Sequence, residues 1–199
     1  MKKYLLLTVI MVLLASLAPA RTEGQASTEE YAVYSAVIAN MFPDEKRADD
    51  SKDKVIPLVI LNVTGTDRPR PKEVQGELYF KQMFPTLPAG VAQDYNARNN
   101  EPARLKESFD LKLKYILVDD KEIKKIFDVG RNWEEFYKRY PGSRGFILLS
   151  RVGFNAEMNQ ALVYIQHSCG GLCGTGNYML LEKKDDRWQV VKRSMAWIA

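Results

Sequence analysis

Imidazole and thiol are scarce in this chain. Its 199 residues include one histidine, His167, and two cysteines, Cys169 and Cys173. That scarcity excludes, within one chain, any mechanism that needs two imidazoles and any four-thiolate zinc site. The signature loops of several enzyme classes are missing too. Ser150, Ser168 and Ser194 are available as nucleophiles, but no G-x-S-x-G surrounds any of them and His167 is the one imidazole to activate them, so a serine hydrolase is not expected. Gly174, Thr175 and Gly176 share only a fragment of a phosphate loop; no G-x-x-x-x-G-K-[ST] occurs. Charge of one sign is not in excess, with 29 basic residues against 25 acidic, and Lys2 and Lys3 of the N-terminus account for half of the net +4. No basic cluster stands out, and nucleic acid is not an expected partner. The chain has no internal repeat. Beyond Ala20 no apolar run is long enough to cross a bilayer, because charges or Pro57 interrupt the longest ones.

What is present first is a destination. Lys2 and Lys3 precede an uncharged stretch from Tyr4 to Ala20 rich in Leu, Val, Ile, Met and Ala, which ends in Ala18, Pro19 and Ala20. A basic start, a short apolar segment and small residues at the end form a secretory signal with cleavage after Ala20. At 17 residues the segment sits at the lower limit for an uncleaved membrane span. No cysteine lies near it, which excludes a lipid-modified N-terminal cysteine. The expectation is an exported protein, periplasmic or extracellular, in a compartment that permits disulfides. The organisation expected is a signal peptide at 1–20, a flexible lead-in at 21–27 and one globular domain at 28–199. A hydrophobic share of 46% with 11% aromatics supplies a packed core for that domain.

The fold class expected is α+β, with N-terminal helices packed on a C-terminal four-strand antiparallel meander and one earlier strand available to join the sheet. Ser27 and Glu30 have capping-box spacing before the stripe Tyr31, Tyr34, Ile38 and Met41, which predicts a helix to about Phe42. The charged run 44–54 reads as a solvated loop, 55–63 as a buried strand with Pro57 near an edge of the sheet or at the strand's start, and Gly65 with Thr66 as a turn. Prolines punctuate the middle and leave helical pieces only at 72–83 and 89–99. Tyr115 to Val118 suits a short strand. Asp119 before Glu122, and Asn132 before Glu135, open two helices, the first running through Phe127 before Gly130 and the second ending at Pro141 and Gly142. The second carries Trp133, Phe136, Tyr137 and Tyr140, an aromatic stripe read as core with a secondary reading as a pocket wall. Four apolar pieces follow, over 146–154, 161–167, 178–182 and 188–197, joined by connections short enough to force antiparallel pairing. Ala161, Val163, Ile165 and His167 fall on one face of their strand, opposite Leu162, Tyr164 and Gln166. On the last strand Trp188 and Val190 oppose Val191, Met195 and Trp197. The helices are expected to cover one face of this sheet. The acidic pairs Glu29 with Glu30, Asp119 with Asp120, and Glu134 with Glu135 begin helices and read as dipole and capping groups, not as a glycosidase pair.

Residues 167 to 176 gather the only imidazole, both thiols and four of the twelve glycines. Three readings compete. An exported chain with two cysteines favours a Cys169–Cys173 disulfide, for which the loop must turn: extended, the two Cα atoms would stand about 13 Å apart, well beyond the roughly 4.4–6.8 Å a disulfide spans. So small a ring restricts the unfolded chain by only about 2 kcal/mol, and would shape the loop more than hold the fold. A second reading takes His167, Cys169 and Cys173 as three ligands for copper or zinc, with a fourth to be supplied from elsewhere. A third is a redox-active dithiol, one residue longer than C-x-x-C and without a βαβ setting. His167 itself reads as a half-buried histidine bonded to backbone rather than as a base or a ligand.

Ser150-Arg151-Val152-Gly153-Phe154-Asn155, Ala161-Leu162-Val163-Tyr164, the glycine-rich cysteine loop, Leu180-Leu181-Glu182-Lys183-Lys184 and Trp188-Gln189-Val190 together resemble a family of exported bacterial proteins of unknown function, over about residues 88–199. The resemblance implies export and carries no site residue with it. The closing hairpin, with its charged turn and tryptophan-bearing strand, is also similar to the end of the cone-shaped nuclear-transport-factor-2-like fold, which hosts both enzymes and ligand carriers. The leading expectation is a non-enzymatic binding or envelope-associated protein, without cofactor, whose partner is a small molecule or an envelope component. The alternatives are a thiol or metal protein using His167, Cys169 and Cys173, and a cone-fold hydrolase or isomerase.

Overall fold

A computed structural model of the chain describes residues 24–43, 57–65, 77–128 and 132–199. The signal segment with Ala18 and Ala20, the charged run 44–54, Thr66, the beginning of the 72–83 piece and Gly130 lie outside the described residues.

Helix α1 (Thr28–Met41) starts on the expected capping box: the Glu30 backbone N–H donates to Ser27 Oγ, and the Ser27 N–H donates to the Glu30 carboxylate. Strand β1 (Leu58–Leu61) follows directly on Pro57, where the missing N–H leaves no ladder bond unmade. Next come α2 (Glu77–Met83), α3 (Val91–Arg98) and β2 (Tyr115–Val118). Helix α4 (Asp120–Phe127) is capped by Asp119, whose carboxylate accepts from Lys121 N. Helix α5 (Trp133–Arg139) is capped by Asn132, whose side chain accepts from Glu135 N. The chain ends in β3 (Phe146–Leu149), β4 (Gly153–Phe154), β5 (Gln160–Gly170), β6 (Cys173–Lys184) and β7 (Arg187–Ile198).

The strands form one mixed sheet in the order β2-β1-β3-β5-β6-β7, with β4 also pairing with β5. The α+β class is correct and the closing strands are antiparallel as expected, while β1 lies parallel to both β2 and β3. The strand expected over 146–154 is two strands, β3 and β4, both paired with β5. At the β6–β7 turn Asp185 and Asp186 both take positive φ, 48° and 57°, the conformation that a two-residue hairpin turn imposes.

Both faces of the sheet are covered, not one. On the first, Leu58, Ile60, Ile147, Leu149, Val163, Ile165, Met179 and Leu181 pack with Tyr34, Val37 and Ile38 of α1. On the second, Val59, Leu61 and Leu148 pack with Ile123, Ile126, Phe136 and Tyr140 of α4 and α5. Also on the second face, Leu162, Tyr164, Tyr178 and Leu180 pack with Phe80, Phe84, Val91 and Tyr95 of α2 and α3. The reason lies in the strands: where alternate residues are apolar in both registers, as along 161–165 and 178–181, each face needs a cover.

Strand β7 carries a further correction. Register shifts fall between Leu180 and Leu181 and between Gly176 and Asn177 of its partner, so Met195 pairs with Asn177 while Trp197 pairs with Gly176. Met195 and Trp197 therefore lie on opposite faces. A bulge adds one residue and inverts the alternation beyond it.

Candidate functional site

The segment that concentrates the cysteines is the tip of the β5–β6 hairpin. Strand pairing continues to Gly170 and Cys173, so the turn itself is only Gly171 and Leu172. Cys169 and Cys173 are joined in a disulfide with Cα atoms 5.0 Å apart. Both sulfurs are thereby used, and among the described residues no group of three or more His, Cys, Asp or Glu stands together to hold a metal ion. Tyr137 of α5 donates its hydroxyl to the Cys169 carbonyl at 2.8 Å, which ties the tip to the helical layer.

His167 and Ser168 are neighbours in sequence but point to opposite sides of the sheet. His167 pairs with Ile147, on the α1 face, where its ring meets the edge of Phe42 at 5.1 Å between centroids. Its Nε2 is bonded to the Arg144 carbonyl, and since a carbonyl only accepts, Nε2 carries the proton. Burial lowers the His167 pKa, and the positive charge of Arg144 adds to this, against an opposing pull from the hydrogen bond. The imidazole is thus held neutral and bonded to backbone. It has no route to Ser168, which lies on the other face. Ser150 is buried, its Oγ accepting from Tyr164 N, and Ser194 lies on β7.

Both faces carry openings: one of about 420 Å³ lies beside α1, lined by Ala26, Tyr31, Ala32, Ser35, Lys106 and Asp110, and another lies on the second face. The α4–α5 layer sits over β1 and β3, the α2–α3 layer over β5 and β6, and beside the α4–α5 layer a cleft is lined by residues of α4, α5, β1, β3, β5, β6 and β7. Toward α4 the cleft holds about 460 Å³ and its walls are mainly apolar: Leu61, Val63, Ile123, Phe127, Phe146 and Leu148, with Asp120 and Lys124. That Asp–Lys pair is an i,i+4 ion pair at 2.8 Å. Toward the disulfide the cleft holds about 270 Å³ and is more polar, lined by Gln166, Ser168, Gly170, Gly171, Cys173 and Gly174 together with Trp133 and Trp197. Phe127, Phe146 and Gln166 border both ends, so the two lie side by side. Trp133 stacks on Phe146 at 5.8 Å with the rings 17° apart, and its edge meets Phe127 at 4.9 Å.

Glycine makes this end of the cleft. A Cβ on Gly176 would stand 2.1 Å from Trp197 Nε1 and 2.3 Å from the Tyr164 hydroxyl, and one on Gly174 would stand 3.1 Å from the Trp197 ring. The indole therefore lies against bare backbone. From there a file of polar groups leads into the cleft. Trp197 Nε1 donates to the Tyr164 hydroxyl at 2.7 Å, Tyr164 donates to Gln166 Oε1 at 3.5 Å, and Gln166 Nε2 donates to Ser168 Oγ at 3.1 Å.

The Ser150–Asn155 motif that carries the resemblance is a clasp. Glu30 of α1, fully buried, accepts from Arg151 Nε at 2.7 Å and from its second guanidinium nitrogen at 3.0 Å, and also accepts from the Ser27 and Val152 N–H groups. Burial pushes the Glu30 carboxyl up, but the Arg151 hydrogen bonds and charge and the backbone donors outweigh it, and the pKa stands below the ordinary carboxylate value. On the other face Asn99, just beyond α3, exchanges two hydrogen bonds with the Arg151 backbone, and Asp94 accepts from Phe154 N. Gly153 has no room for a side chain, since a Cβ would stand 2.4 Å from the Tyr95 backbone nitrogen. Asn155 then closes the turn by accepting from the Asn159 and Gln160 N–H groups. These residues hold helices to both faces of the sheet at the β3–β4 break and do not face the cleft.

The other acidic pairs are structural as expected. Glu29 binds Lys183 and the Trp188 indole, Asp119 caps α4, and Glu134 pairs with Lys138. Of the aromatic stripe, Phe136 and Tyr140 are core, while Trp133 borders the cleft. The sequence reading missed Ser168 and Gln166 as cleft residues; the alternation that placed Gln166 opposite His167 already held the signal. It also missed the α4 wall, which depends on parallel pairing of β1 with β3. Among the described residues no helix is long and apolar enough to cross a membrane.

Fold and site define an α+β protein with a helix-covered mixed sheet, a clasped strand break and an amphipathic cleft beside a disulfide-closed hairpin. No family model, curated protein or solved structure matches the chain.

Proposed function

We propose that this is an exported, non-enzymatic binding protein whose ligand occupies the cleft beside the α4–α5 layer and the disulfide-closed hairpin. The observation that carries this reading is the cleft's division into a mainly apolar end against α4 and a polar end against the disulfide tip, adjacent ends that share Phe127, Phe146 and Gln166 in their walls. Its volume suits a small molecule. Its Ser168 has no base beside it, because His167 faces the other side and is bonded to the Arg144 carbonyl, so the cleft is equipped to hold a molecule and not to cleave one. Export is supported by the Lys2–Ala20 segment and agrees with a disulfide at Cys169 and Cys173.

The test is equilibrium binding of the neutral probe N-phenyl-1-naphthylamine to the mature chain, followed by its fluorescence. The reading predicts saturable binding at one site, lost in Phe127→Glu, whose charge enters the apolar end, with the far-UV circular dichroism unchanged. Binding that does not saturate, or that Phe127→Glu leaves intact, would remove the cleft as the site. Export is tested separately by fractionating cells: an N-terminus at Arg21 in the exported fraction supports it, and an intact Met1 in the cytosol contradicts it.

A further inference from the structure

The polar end of the cleft has a definite hydrogen-bonding sense. An indole N–H only donates, so at the Trp197–Tyr164 contact the phenol oxygen is the acceptor and its own hydrogen is left to point onward. Gln166 Oε1 is the acceptor it faces, which orients the Gln166 amide nitrogen toward Ser168 Oγ. Ser168 has then received one hydrogen bond, and its own hydroxyl hydrogen has no acceptor among the described residues. Ser168 and Gln166 both border the cleft, so the donor that the file leaves over is presented to whatever sits there. Hydrogen bonds in series polarise one another and strengthen the last donor.

Charge narrows the ligand further. Among the described residues, none bordering the polar end is Lys, Arg or His, and the lysine at the apolar end, Lys124, is paired with Asp120. A carboxylate or phosphate in this position would lose water without gaining a cation from the described residues. An ammonium group has no acceptor to offer the Ser168 hydroxyl hydrogen.

Resting on the cleft reading above, we propose that the ligand is a neutral amphiphile: an apolar chain or ring joined to an amide or ester carbonyl. The carbonyl oxygen accepts from the Ser168 hydroxyl between Trp133 and Trp197, and the apolar part runs past Phe127 and Phe146 toward Leu148 and Ile123.

The test is calorimetric titration of the mature protein with four probes that share one eight-carbon chain: N-methyloctanamide, methyl octanoate, octanoate and octylammonium. Displacement of N-phenyl-1-naphthylamine is measured alongside. The amide and the ester are expected to bind at least tenfold more tightly than either ion. Ser168→Ala should weaken the amide by about three- to tenfold, the loss of one hydrogen bond. Ser168→Thr, which keeps the hydroxyl, should restore the amide. Equal binding of all four probes, tighter binding of an ion, or an amide affinity indifferent to Ser168→Ala would each overturn the ligand class while naphthylamine binding kept the cleft. Failure of naphthylamine to bind the wild-type protein would overturn the cleft reading itself.

Discussion

Glu30 and Arg151 meet in two hydrogen bonds, of 2.7 and 3.0 Å, across 121 positions of chain, with the carboxylate entirely removed from solvent. This pair joins the first helix to the break between β3 and β4. The same break is bonded on its other side to Asn99 and Asp94.

Removing one partner of a buried pair leaves the other charge without compensation. Arg151→Met should therefore destabilise the protein by about 3–5 kcal/mol, read as a lower urea midpoint. The double variant Glu30→Gln with Arg151→Met should recover part of that loss. A single variant within about 1 kcal/mol of wild type would show that the pair does not hold the clasp.

Glu30 and His167 both contribute to the acid limb of stability. Glu30 has a lowered pKa in the fold, so the stability it contributes is complete above the ordinary carboxylate value of 4.5 and is lost as pH falls through the folded value. His167 also has a lowered pKa, and the unfolded chain takes up its proton first, so stability starts to fall as pH drops below 6.5. Urea midpoints measured from pH 7.5 to 5 should decline in the wild type and decline less in His167→Gln. Below pH 4.5 a steeper loss should follow, reduced in Glu30→Gln.

Gly153 and Gly171 make a matched comparison. A methyl group at Gly153 meets the Tyr95 backbone, whereas at Gly171 it meets nothing within 4 Å. Gly153→Ala should cost about 1–3 kcal/mol by forcing α3 off the sheet, and Gly171→Ala should stay within about 0.5 kcal/mol. Thermal melts of the two variants separate the cases, and equal melting points would contradict the close approach of α3.

The disulfide closes a short ring at a hairpin whose strands are already paired. Replacing both Cys169 and Cys173 by Ala should therefore lower stability by no more than about 2 kcal/mol. The effect on naphthylamine affinity should be larger in proportion, because Gly170, Gly171 and Cys173 border the cleft. A cooperative unfolding transition lost with the disulfide would contradict this division of labour.

Local signals were legible wherever one short segment carried them. Ser27 with Glu30, Asp119 and Asn132 each cap a helix as their spacing predicts, and 161–167 shows the alternation that puts His167 on the α1 face. What could not be read depends on distant partners. The parallel pairing of Val59 with Phe146 joins segments 87 positions apart, and without it neither the second helical layer nor the cleft has a location. Arg151 looked like part of a motif, but its partner Glu30 had a complete local explanation as a capping residue. The bulges in β7 bring Trp197 opposite Gly176, a pairing that periodicity does not encode.

Nitrogen-15 NMR of the mature protein titrated with N-methyloctanamide tests the central claim most directly. The account predicts that the amide signals of Phe146, Gln166, Ser168 and Gly174 and the indole signals of Trp133 and Trp197 move together and saturate, while Trp188, bonded to Glu29 on the α1 face, stays still. Saturating shifts confined to Tyr31, Ser35 and their neighbours along α1, or no saturating shifts at all, would contradict it.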